Sequence, residues 1–93
     1  MTPLEMVRAY VAAKAEEVTV ASTPGEAFAA LAELEAAIGK ARERLAVRLV
    51  LDDGWSYAEV GRAARVTRQA ASKTYGPAVR EQMRRTIRGG GRW

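Results

Sequence analysis

The sequence predicts an all-α protein, and three observations favour this class. Helix-opening patterns recur at Thr2–Glu5, Thr23–Glu26 and Ser56–Glu59. Apolar residues follow each of them at steps of three and four. Residues 76–93 contain no alternating pattern that would indicate a pair of strands. We therefore expect a long N-terminal helical hairpin, then two short helices joined by a tight corner, and a basic C-terminal helix, in a chain that is dimeric.

The first helix is expected to begin near Pro3 and to run to about Val18. Thr2 suits the capping position, and proline is tolerated at the first helical position, where its missing N–H is not needed. An apolar stripe then follows along one side of the helix. Its members are Leu4, Val7, Val11 and Ala15.

The second helix is expected to begin at Pro24 and to span about 28 residues, because nothing breaks a helix strongly before Asp53-Gly54. Its apolar seam is formed by Phe28, Leu31, Leu34, Ile38, Ala41, Leu45 and Leu49. This seam could pack on the first helix or on the same helix of a second chain. We expect a homodimer through residues 24–52, and Gly39 indicates a close approach of helices.

Two short helices are expected within residues 54–76. Gly54 suits the left-handed position that ends a helix, and Ser56 with Glu59 forms a capping box for a helix that begins at Tyr57. Trp55, just before this cap, is expected to pack into the core as a hydrophobic staple. Thr67 is a suitable cap for the next helix after only a short turn.

The second short helix has two different halves. Ala70, Ala71, Thr74 and Tyr75 occupy one side of its circumference. The other side carries only hydrogen-bonding groups, namely Arg68, Gln69, Ser72 and Lys73. Such a helix has the donors to read base edges in a DNA major groove, because Arg binds guanine and Gln binds adenine.

The stretch from Tyr57 to Lys73 resembles the helix-turn-helix of bacterial and phage transcription regulators, including the sigma-factor region 4 type. The resemblance covers about 21 residues, from Ser56 to Gly76. It implies core positions at Val60, Ala64, Val66 and Ala71, and a small helix-contact position at Gly61. It implies DNA-facing positions at Arg68, Gln69, Ser72 and Lys73.

The chain departs from the family pattern at two positions. Arg65 stands where the turn usually has glycine, so either the turn differs or Arg65 adopts a left-handed conformation that costs about 1 kcal/mol or more. Thr74 stands where a larger apolar residue is usual, which leaves Tyr75 to fill the space.

The remaining residues, 77–93, are expected to form a basic helix and a flexible tail. Gly76-Pro77 should end the preceding helix and start a new one. Val79, Met83 and Ile87 step by four and give the new helix a thin apolar stripe. Residues that we expect to hold the phosphate backbone are Thr67, Arg62, Arg65, Arg80, Arg84, Arg85 and Arg88. Arg92, in the tail sequence GGGRW, is expected to enter a minor groove.

Charge and composition reduce the number of function classes that fit the sequence. Residues 1–53 hold six basic and nine acidic residues, a net charge of −3, whereas residues 54–93 hold nine basic and two acidic residues, a net charge of +7. This asymmetry predicts that the second half meets a polyanion. The chain has no Cys and no His, which removes thiolate and imidazole chemistry and zinc fingers. We expect no catalysis, no metal and no cofactor.

The expected function is sequence-specific binding of double-stranded DNA by a cytoplasmic, nucleoid-associated transcriptional regulator. No apolar run approaches the roughly 20 residues that span a bilayer, so no membrane contact is expected. Two alternatives stay open. One is an architectural DNA-binding protein with low sequence specificity, and the other is a protein-interaction module that contacts the transcription machinery.

Overall fold

The computed structural model describes the backbone of residues 2–90 and the side chains of residues 2–87. These residues form four α-helices and no strand: α1 (Pro3–Thr19), α2 (Pro24–Leu51), α3 (Tyr57–Ala64) and α4 (Arg68–Gly90). The all-α class is confirmed. The chain divides into two compact units, Met1–Arg42 and Glu43–Trp93, with the division inside α2.

The starts of α1 and α2 follow the predicted capping patterns. Thr2 Oγ1 accepts a hydrogen bond from Glu5 N at 3.1 Å and donates one to Glu5 Oε1 at the same distance. Thr23 Oγ1 accepts from Glu26 N at 3.1 Å, and Glu26 Oε2 accepts from Ser22 N at 2.8 Å. These bonds satisfy backbone N–H groups that have no partner inside the helix. The predicted start of α1 and the 28-residue length of α2 are confirmed.

The first unit buries small side chains and leaves larger ones exposed. Ala30, Ala37 and Ala41 of α2 are buried, whereas α1 has no buried residue. The expected seam of α2 is therefore only partly covered: Ala41 is buried, Leu34, Leu45 and Leu49 are half-buried, and Phe28, Leu31 and Ile38 are exposed. Within the chain, Gly39 marks no close helix approach, because a Cβ added there would meet no atom within 4 Å. A close approach at Gly39 between two chains stays a prediction.

The second unit is built around a small core. The buried residues Ala46, Val60, Ala71 and Tyr75 form one cluster. Trp55 and Val50, both half-buried, pack against this cluster, which confirms the predicted place of the tryptophan. Three helices therefore supply the core, with α3 and α4 in direct contact.

The link from α2 to α3 is a compact turn. Asp52 N donates to Arg48 O at 2.8 Å, and Trp55 N donates to Leu49 O at 2.9 Å. Gly54 takes a φ of 72°, as the sequence predicts for the residue that ends the helix. The turn brings Trp55 back onto the core and places Ser56 at the start of α3.

α4 differs most from the structure that the sequence predicts. The sequence predicts a break at Gly76-Pro77 and a separate basic helix, but α4 is one helix of 23 residues with Pro77 inside it. Proline has no N–H, so the carbonyl of Lys73 loses the donor it would have in a regular helix. Packing supplies the compensating stability, since Tyr75, Gly76 and Val79 on both sides of the proline are buried. No helix among the described residues is both long enough and apolar enough to cross a membrane.

Candidate nucleic-acid interface

The candidate interface begins with the cap of α3. Ser56 Oγ accepts from Glu59 N at 3.1 Å, and Glu59 Oε1 accepts from Ser56 N at 2.9 Å, which completes the predicted capping box. Hydrogen bonding from the Ser56 backbone, then from its hydroxyl, holds the pKa of the Glu59 carboxyl below its usual value. The ionised carboxylate therefore fixes the start of α3 and its orientation at neutral pH.

A left-handed residue makes the corner between α3 and α4. Arg65 ends α3 with φ 62° and ψ 40°, so of the two possibilities that the sequence leaves open the chain adopts the left-handed arginine. Val66 N donates to Gly61 O at 2.9 Å, and Arg65 N donates to Arg62 O at 3.3 Å. These bonds satisfy carbonyls at the end of α3 and fold the chain back.

Gly61 allows the corner to close. A Cβ at this position would lie 2.8 Å from Val66 O and 3.0 Å from Thr67 O. Both neighbours are backbone atoms, so no side-chain rotation could relieve the clash. The small helix-contact position implied by the family resemblance is thus required by the geometry of this corner.

Thr67 then caps α4, as the sequence predicts. Its Oγ1 accepts from Ala70 N at 3.0 Å, and its carbonyl accepts from Ala71 N at 2.9 Å. Ala71 and Tyr75 are buried against α3 and the end of α2. Tyr75 is only 5% exposed and belongs to the core cluster, whereas Thr74 is exposed, so Tyr75 and not Thr74 supplies the core side chain at this level of α4.

The four predicted DNA-facing residues lie together on the surface. Arg68, Gln69 and Lys73 are exposed, and Ser72 is half-buried. Together they line a shallow depression of about 430 Å³. The first two turns of α4 therefore present guanidinium, amide, hydroxyl and ammonium groups on one open surface, all of them able to donate hydrogen bonds.

Some core positions implied by the family resemblance differ from expectation. Val60 and Ala71 are buried and Ala64 is half-buried. Val66 is 42% exposed, so its expected place in the core is wrong. It lies in the turn itself, where its carbonyl faces Gly61, and it is not part of the core cluster.

The arginines expected to hold phosphates fall into two groups. Arg62 and Arg65 are exposed on α3 and at the corner, close in sequence to the start of α4. Arg80, Arg84 and Arg85 are exposed in the C-terminal half of α4. Arg88 belongs to α4, but its side chain lies outside the described residues, and Arg92 lies outside them altogether.

Glu81 was not predicted from the sequence as part of this surface. Its carboxylate accepts from Arg84 Nε at 3.1 Å and lies 3.4 Å from Arg85 Nε. The hydrogen bond and charge of Arg84, and then those of Arg85, hold the pKa of Glu81 below its usual range. Spacings of three and four residues bring such side chains together on a helix, so the sequence did contain a signal for this cluster.

A second shallow cleft lies in the same unit, between the end of α2 and α4. Its volume is about 440 Å³. Among the residues that the structure describes, no group of three His, Cys, Asp or Glu side chains could hold a metal ion. Residues that line the cleft are Glu43, Arg44, Val47, Ala78, Glu81, Gln82 and Arg85.

Fold and surface together define an all-helical protein with a tight two-helix corner and a polar, cationic face on its last helix. Comparisons of the chain with protein-family models, with characterised proteins and with solved structures give no match.

Proposed function

We propose that the chain binds double-stranded DNA in a sequence-specific manner and regulates transcription. One observation carries the proposal: Arg68, Gln69, Ser72 and Lys73 lie together on an open surface at the start of a helix whose opposite side is buried. A helix presented in this way can enter a major groove, which is about 12 Å wide. The tight corner at Arg65 supports it, because α3 then crosses α4 at the end that meets the DNA.

Each polar residue of this surface has a role in the proposal. Arg68 and Gln69 read base edges, since arginine can pair with guanine O6 and N7 and glutamine with adenine N6 and N7. Ser72 and Lys73 contact a base edge or a phosphate. Backbone contacts come from Thr67, Arg62, Arg65 and the arginines of the C-terminal half of α4.

The charge of the second half of the chain supports DNA as the partner. Residues 54–93 carry nine basic and two acidic residues. Each phosphate that a lysine or arginine neutralises releases counterions, so binding should weaken steeply as salt rises. The proposal places the protein with the nucleoid, where such a partner is abundant.

We also propose that the regulator acts as a homodimer through α2. Phe28 is 78% exposed, Leu31 46% and Ile38 39%, although all three belong to the apolar seam. Leu31 and Ile38 are seven residues apart, the repeat with which helices pair in coiled coils. Two DNA-binding corners in one dimer would select half-sites with centres about 34 Å apart.

Selection of bound sequences from a pool of random duplexes tests the proposal. We expect an enriched motif, and we expect Gln69→Ala to lose about 1–3 kcal/mol on the selected site and to relax the preference at one position. Gln82→Ala is the matched control, because Gln82 is also exposed on α4 but lies in the other cleft.

The same experiment separates the alternatives. Tight binding without any enriched motif would favour an architectural DNA-binding protein and would contradict sequence-specific regulation. Absence of binding to any duplex at low salt would contradict DNA binding itself and would favour a protein-interaction module that uses the exposed seam of α2.

A further inference from the structure

Because α4 continues through Pro77, residues of its C-terminal half share a side of the helix with Gln69 and Lys73. At about 100° per residue, Gln69, Lys73, Arg80 and Arg84 lie within about 60° of one another around the helix. Had the helix ended at Gly76, this alignment would not exist. The continuous helix of Arg68–Gly90 extends the side that carries Gln69 and Lys73 beyond Pro77.

Arg80 has a defined place on this side. A Cβ built on Gly76 would lie 3.0 Å from Arg80 Nη1 and 3.6 Å from its Cζ. The guanidinium of Arg80 therefore lies against the backbone of Gly76, one turn nearer the N-terminus of α4. Gly76 is buried while Arg80 is exposed, so the arginine covers the glycine and keeps its own polar edge in solvent.

The dimensions of DNA indicate what this guanidinium would meet. Gln69 and Lys73 are about 6 Å apart along the helix axis, a span that fits within a major groove about 12 Å wide. The guanidinium of Arg80, held at the level of Gly76, lies about 10 Å from Gln69 along the helix axis. A helix that places Gln69 and Lys73 on base edges thus places Arg80 at the border of the groove, where the phosphates lie.

We propose that Gly76 seats the Arg80 guanidinium on the DNA-facing side of α4, ready to bind a phosphate at the edge of the same groove. This inference rests on the proposed function, and it distinguishes Arg80 from the other described arginines of the helix. Arg84 and Arg85 are paired with Glu81. Arg85 also lies about 140° around the helix from Arg80.

Four variants test the inference on a mixed-sequence duplex of 30 base pairs, titrated at several salt concentrations. Arg80→Ala should weaken binding roughly five- to tenfold and lower the salt-dependence slope by about one ion. Arg44→Ala removes the same charge from an exposed position on α2, outside the proposed interface, and should change affinity less than roughly twofold. Equal losses in these two variants would overturn the inference and leave the proposed function standing.

Gly76→Ala tests whether the glycine is needed to position the Arg80 guanidinium. The new methyl group must displace the guanidinium, so the variant should lose as much affinity as Arg80→Ala, and the double variant should lose no more than either. An alanine inside a helix also favours folding, so the midpoint of thermal unfolding should stay or rise while DNA binding falls. A defect that came only from a damaged fold would move both in the same direction.

Two results would contradict the proposed role of Gly76 in positioning Arg80. Full affinity of Gly76→Ala beside a weakened Arg80→Ala would show that the arginine needs no glycine beneath it. Additive losses in the double variant would show that the two positions act independently. Failure of the unaltered protein to bind the duplex at any salt concentration would overturn the proposed function together with this inference.

Discussion

Arg65 makes the corner between α3 and α4 although its backbone is in the left-handed region that glycine favours. The sequence left two possibilities open, a different turn or a strained arginine, and the structure has the strained arginine at φ 62°. Periodicity and caps located the turn, but they could not decide between these possibilities. The decision depends on the many contacts that hold α3 and α4 together, and their sum exceeds the local cost at one residue.

Replacement of Arg65 by glycine should stabilise the protein. Glycine adopts positive φ without steric cost, so Arg65→Gly should raise the free energy of unfolding by up to about 1 kcal/mol. Arg62→Gly is the control, since Arg62 lies inside α3, where glycine costs about 1 kcal/mol. Urea unfolding should thus move in opposite directions for the two variants, and a loss of stability in both would contradict the assigned strain.

Glu59 should make stability depend on pH. Hydrogen bonds from Ser56 lower the pKa of the Glu59 carboxyl in the folded chain. A lowered pKa contributes stability that is complete above the unfolded value, about 4.3, and disappears as pH falls through the folded value. Glu59→Gln keeps a hydrogen-bonding side chain at this position but cannot titrate.

The free energies of unfolding of Glu59→Gln and the unaltered protein should therefore differ most near neutral pH and converge in acid. Urea titrations between about pH 6 and pH 3 measure this difference. A gap that stays constant over this range would mean that the ionised carboxylate is not what stabilises the cap.

Among the elements, the corner between α3 and α4 requires a glycine at position 61. Gly61→Ala would place a methyl group against the carbonyls of Val66 and Thr67. We expect a loss of about 1–3 kcal/mol, because backbone atoms must move to accept it. Gly39→Ala is the matched control in α2, where the added methyl group meets nothing within 4 Å.

Gly39→Ala should stabilise the protein by up to about 1 kcal/mol, since alanine is the better helix former. Thermal unfolding of the two variants compares them directly. If Gly61→Ala proved as stable as Gly39→Ala, the close contact at the corner would be wrong.

Pro77 makes a further prediction for α4. The proline leaves the Lys73 carbonyl without its intrahelical donor, so Pro77→Ala should restore one hydrogen bond and stabilise the helix by about 1–3 kcal/mol. Circular dichroism should show little gain of helix content, because α4 already continues through this position. A large gain in helix content would instead indicate that α4 is broken at Pro77 in the unaltered protein.

The elements also show which features the sequence could and could not predict. Caps at Thr2, Thr23 and Ser56 are local, and they located three helix starts correctly. The course of α4 through Pro77 is not local, since it depends on the burial of Tyr75 and Val79 against other helices. The polar surface at the start of α4 was predictable because periodicity alone separates its residues from Ala71 and Tyr75.

At the scale of the whole molecule, a single chain leaves much of the apolar seam of α2 exposed to solvent. Large apolar side chains at Phe28, Leu31 and Ile38 contact solvent while alanines are buried beside them. Burial of apolar surface contributes about 25 cal/mol per Å², so a second copy of this face would gain stability by covering it. If the chain forms the proposed homodimer, its folding must depend on protein concentration.

Ile38→Glu tests this dependence, because it places a charge in the proposed seam without removing a buried side chain. We expect a monomer in sedimentation and an unfolding midpoint that no longer rises with protein concentration. Ala36→Glu adds the same charge at an exposed position about 160° around α2, and it should leave mass and midpoint unchanged. Sedimentation of the unaltered protein as a monomer at every concentration would contradict the proposed dimer. The seam would then need another partner to cover it.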